Sequence, residues 1–264
     1  MTNDFENTLL LVAPASVLEG LPPHLREIPD LVAQATGISV QVLSNRTQPP
    51  TLIPNVGNRV MPLMLDINAN TQSITIWCAP FAFSSLQLGH QLIALRRYVL
   101  ESVPRFTPAK GADPETRASI IAMENELELL FLIQEEANTF PDAVRYWNEE
   151  FKAMIPIALE TNNAFYLAMM FAQIRVSLFG QSDLLDMIEP HLHRFGDKTV
   201  ALAEDIWLMY TLALPNKGFL LADMTTAMSP ELLSQVNAAS FIIKDGVLAS
   251  DPRSLAVMRA QQPE

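Results

Sequence analysis

Along the first 80 residues the apolar positions fall in short blocks separated by turn formers, and beyond residue 82 they recur at helical spacing almost without interruption. Leu9 to Ala15 is an apolar block whose leader carries Asp4 and Glu6 and no Lys or Arg. A secretory signal needs a positive leader, so the block reads as a first strand. Glu27 to Thr36 has the spacing of a helix, stopped by Gly37, and leads into a strand over Ile38 to Leu43. After a loop with Pro49, Pro50 and Pro54, two strands over Val60 to Ile67 and Ser73 to Cys78 flank Asn68-Ala69-Asn70-Thr71-Gln72 as a hairpin. Pro62 lacks an N–H, which makes the first of the pair an edge strand or delays its start.

Helical stretches come next near 84–103, 114–137, 141–159, 162–179, 182–195 and 198–213, with Pro, Gly, Asn or Asp at the breaks. In the last fifty residues, Phe241-Ile242-Ile243 and Val247-Leu248-Ala249 flank Lys244-Asp245-Gly246, a second hairpin free to extend the N-terminal sheet or to offer an edge to a partner. The final Gln261-Gln262-Pro263-Glu264 reads as frayed. These elements predict an α+β fold, a small and mostly antiparallel N-terminal sheet followed by a helical bundle. By pattern the chain divides at 1–80, 81–215 and 216–264, which is also compatible with one domain.

Charge narrows the function classes. The net charge of -12, with the basic residues spread out, argues against binding phosphate backbones. Arg96-Arg97 is the one adjacent basic pair, and Glu101 is its natural counter-ion. No run reaches the eighteen or so apolar residues of a membrane span; Ala164 to Phe179 comes nearest and is broken by Gln173, Arg175 and Ser177. Cys78 is the single cysteine, which rules out an internal disulfide, fits a reducing cytoplasm and reads as a buried thiol. With 17% charged residues and a mean hydropathy of +0.18, the surface suits a protein partner or a homo-oligomer. No Gly-rich phosphate loop, G-x-S-x-G elbow or C-x-x-C pair is present. Met169-Met170 reads as core filler, and Trp147 and Trp207 as core anchors. His191 and His193, two apart, point about 200° apart on a helix and cannot share an ion; they suit the exposed end of a helix before Gly196.

The richest segment for chemistry is Leu88-Gly89-His90-Gln91-Leu92-Ile93-Ala94-Leu95. On a helix, His90, Ala94, Arg97 and Glu101 form one stripe beside an apolar stripe of Leu88, Leu92, Leu95, Val99 and Val103. After Val103-Pro104-Arg105-Phe106 and a loop, a second long helix carries Met123-Glu124-Asn125-Glu126-Leu127-Glu128-Leu129-Leu130. Over about residues 84 to 151 this order resembles bacterial zincin-like metallopeptidases of the H-E-x-x-H type. In that family two histidines four apart and a glutamate beside the first hold zinc and activate water, and a second helix adds a third ligand. The resemblance implies a small sheet leading into a helical bundle. It matches His90 to the first zinc ligand and Glu124 or Glu128 to the third, while Gln91 stands where the catalytic glutamate belongs and Ala94 where the second histidine belongs. Alanine has no lone pair, and a glutamine amide is too weak a base to deprotonate water.

Each of these residues also has a plain structural reading. A lone histidine among apolar residues is more often a hydrogen-bonded core group than a ligand. Glu124 and Glu128, four apart, read as the solvated face of an amphipathic helix, with Arg117 or another cation relieving their repulsion. The expectation is a catalytically inactive zincin-like protein that binds a protein or peptide and holds no cofactor. One alternative is a helical interaction protein unrelated to peptidases. The other is a metal-dependent hydrolase with zinc held by His90, Glu124, Glu128 and a further ligand.

Overall fold

The computed structural model describes residues 4–44, 63–160, 163–178, 182–213, 216–227 and 230–253. The class is α+β, with about 65% of the described residues helical and two small sheets. Two compact units divide the chain: residues 1–105 with 238–253, and residues 106–237 with 254–264. The loop prolines, Val60 to Pro62 and the final four residues lie outside the described residues.

In the first unit, α1 (Asp4–Leu10), α2 (Ala15–Glu19), α3 (Pro23–Arg26) and α4 (Ile28–Thr36) precede β1 (Val40–Ser44). The strand expected over Leu9 to Ala15 is therefore not formed. Phe5 and Leu9, four apart, are both buried on one face of α1, and Asp4 and Glu6 sit in its first turn, where carboxylates favour the positive end of a helix. Thr8 secures that helix to the sheet, its hydroxyl accepting the Val42 N–H at 3.2 Å. Gly37 closes α4 in the left-handed region at φ 71°, as its sequence position suggests.

β2 (Leu63–Asn68) and β3 (Ser73–Cys78) form the expected hairpin, with Asn68 opposite Ser73. The sheet runs β1-β3-β2, and β1 lies parallel to β3, so it is not simply antiparallel as the pattern implied. Strand period alone carries no information on which neighbour a strand chooses or in which direction. β2 does sit at an edge. Val40, Val42, Leu63, Ile74, Ile76 and Cys78 are buried, and helices α1, α4 and α5 (Ser85–Leu95) pack on these strands. Burial pushes the Cys78 thiol up to about 11, consistent with a packing role.

The second unit begins within β4 (Arg105–Pro108) and continues through α6 (Pro114–Thr139), α7 (Ala143–Glu160), α8 (Ala164–Ser177), α9 (Ser182–Phe195), α10 (Asp197–Ala213), α11 (Lys217–Ala227) and α12 (Pro230–Gln235). Every residue from Leu167 to Ile174 is buried, Met169 and Met170 included, because α8 is wrapped by α6, α7, α9 and α10. Trp147 is buried and its indole N–H donates to the Glu136 carboxylate, itself wholly buried. Trp207, expected in the core, is half-buried and carries the Arg175 guanidinium 3.8 Å from its ring centre, an arrangement that keeps the cation partly hydrated. His193 is exposed and His191 half-buried near the end of α9.

The chain returns to the first unit as a hairpin of β5 (Val236–Lys244) and β6 (Val247–Arg253). Asp245 and Gly246 take φ of 53° and 76°, the two positive values of a type I′ turn. This hairpin does not extend the β1-β3-β2 sheet. It is tied to it by Gln72, whose amide donates to the Leu248 C=O at 2.7 Å and accepts the Leu248 N–H at 3.2 Å, as a strand neighbour would. The Arg105 guanidinium stands 4.1 Å over the Phe241 ring.

Candidate functional site

Helix α5 is fixed at its start by a reciprocal cap: the Ser84 hydroxyl accepts the Gln87 N–H at 3.3 Å and Gln87 Oε1 accepts the Ser84 N–H at 2.9 Å. It continues into a π-helical turn, Arg96–Leu100, in which Glu101 N–H reaches back to the Arg96 C=O at 3.1 Å. The extra residue in this turn rotates the downstream side chains about the axis, so a stripe drawn at 3.6 residues per turn does not stay on one face past residue 96. Arg97 is buried, whereas Arg96 pairs with Glu101 at 2.7 Å as the sequence suggested.

His90 is half-buried, neither a core group nor a fully solvated one. Gln91 and Ala94 are 9% and 6% exposed and belong to the packed part of α5 with Leu88, Leu92, Ile93 and Leu95. The positions that depart from a metal-binding helix are thus filled by groups that pack.

Glu124 and Glu128 belong to α6 of the second unit, while His90 belongs to the first. Asp113 caps α6 by accepting the N–H groups of Glu115 and Thr116, both at 3.0 Å, and Pro114 begins its first turn. The two glutamates do not form a solvated face: they are 5% and 2% exposed. Between them lies Lys217, 2% exposed, which donates to Glu124 Oε1 and, at 2.5 Å, to Glu128 Oε2. The other Glu124 oxygen accepts the Phe106 N–H of β4 at 2.8 Å. Of the two expectations, Arg117 or another cation, the second holds: the ammonium between them belongs to a residue 93 positions away from Glu124. The four-residue spacing does place both glutamates on one face of the helix, but period cannot tell a face turned to water from a face turned to a buried ammonium.

Lys217 is the first residue of α11, where a positive charge opposes the helix dipole. Two carboxylates offset that cost and the cost of dehydrating the ammonium. Burial raises the Glu124 pKa, the Lys217 charge opposes the rise and the Glu128 charge adds to it. Nearby, Gln173, fully buried on α8, donates to the Glu126 carboxylate at 2.7 Å and to the Glu126 C=O at 2.9 Å. Burial raises the Glu126 pKa and that hydrogen bond lowers it.

Chemically, the Glu124–Lys217–Glu128 cluster is a buried ion triad: one oxygen of each carboxylate is aimed at an ammonium, which is no Lewis acid. Among the described residues no group of three or more His, Cys, Asp or Glu is arranged to hold a metal ion. No described helix is long and apolar enough to cross a membrane. Lys217 carries a faint signal in the sequence: it is the only basic residue between Lys198 and Lys244, beside the apolar Phe219-Leu220-Leu221-Ala222. No family model, no curated protein and no solved structure matches the chain.

Proposed function

We propose that this chain is a catalytically inactive, zincin-like protein that works by binding another protein or a peptide. The observation that carries the reading is the commitment of Glu124 and Glu128 to Lys217, which engages both carboxylates that the resemblance offers as a third zinc ligand. Gln91 and Ala94 support it, since neither supplies the base or the second imidazole of a peptidase and both are packed.

The test combines metal content with peptide chemistry. Purified wild type and His90→Ala are analysed for zinc without added metal, then incubated with a panel of unstructured peptides read by mass spectrometry. Saturable binding of at least one peptide, with its mass unchanged and no stoichiometric zinc, is the expected result. One zinc per chain that disappears in His90→Ala, together with peptide cleavage lost in the same variant, overturns the proposal in favour of a metal-dependent hydrolase.

A second reading, a helical interaction protein unrelated to peptidases, is favoured by one observation. The triad joins α6 to α11 and to the β4 backbone, which is a sufficient structural reason for both glutamates. Under that reading none of the peptides binds, and interaction is confined to folded partners.

A further inference from the structure

We draw no further inference here: the strongest candidate, the exposed apolar surface of the first unit at Leu11, just past α1, and at Phe81, after β3, carries nothing because nothing in the structure shows what covers it.

Discussion

Lys217 concentrates the energetics of the candidate site. Removing the ammonium leaves two buried carboxylates without their shared counter-ion, and breaking a buried pair in this way costs about 3–5 kcal/mol. Lys217→Met is accordingly expected to destabilise the second unit by that amount in urea titrations. The triple variant Lys217→Met/Glu124→Gln/Glu128→Gln, which removes charge and counter-charge together, recovers part of the loss, the remainder being the cost of two buried amides without the ammonium as partner. Equal destabilisation in the single and triple variants would refute the assignment of the cost to uncompensated charge. Glu124 adds a pH signature. Its pKa in the folded protein is raised above 4.5, so the folded state holds this proton more tightly than the unfolded chain does. Its contribution is fully present below pH 4.5 and is lost as pH rises through the folded pKa. In Glu124→Gln that segment of the stability–pH curve flattens. Thermal melts of both proteins across the acid-to-neutral range check it, and parallel curves would show that Glu124 is not the group responsible.

At the level of elements, the β5–β6 hairpin was legible from Lys244-Asp245-Gly246, because a two-residue turn with positive φ at both positions needs that chemistry. Its anchorage was not legible. Gln72 lies 176 residues from Leu248, and a glutamine in a turn looks like any other polar turn residue until its amide is seen to pair with a strand. The helices of the second unit as far as α10 were legible for the same reason as the hairpin, with caps and breakers such as Asp113-Pro114 and Gly196 at their ends, whereas α11 and α12 fall where the sequence predicted only an appendage. Buried polar partners cross the chain at long range and leave no period, so the pairing of Lys217 with Glu124 and the parallel β1–β3 pairing were not legible. Gln72→Ala is predicted to leave the Leu248 N–H and C=O without their partner, at about 1–3 kcal/mol. Hydrogen exchange should accelerate at residues 247–249 and be unchanged in α8. Unaltered exchange in β6 would mean that the hairpin does not depend on this tie. Gly20 offers a second check. A Cβ there would run into the Ser85 hydroxyl and lie 3.2 Å from the Ser16 carbonyl oxygen, so Gly20→Ala is expected to destabilise the contact of α2 with α5.

On the scale of the whole molecule the charge is unevenly shared: the second unit holds 20 acidic and 9 basic residues, the first 9 and 8. Nearly all of the net charge of -12 therefore falls on the helical unit, which must fold against its own repulsion. Part of that acidity is internal, since Glu124 and Glu128 face Lys217 and Glu136 receives an indole N–H. Much of the remainder lies on exposed positions such as Asp142, Glu149, Asp183, Asp186, Glu189 and Asp205. Exposed like charges repel over a distance that salt shortens, from about 30 Å at about 0.01 M to about 3 Å at about 1 M. Raising ionic strength should thus stabilise the second unit and leave the first nearly unchanged, and the buried triad should be screened least of all. Hydrogen exchange followed by mass spectrometry resolves the two units within one sample. The expected outcome is slower exchange in α7, α9 and α10 at high salt, with the β1-β3-β2 sheet unaffected; an equal response in both would show that the excess charge is already compensated within the helical unit.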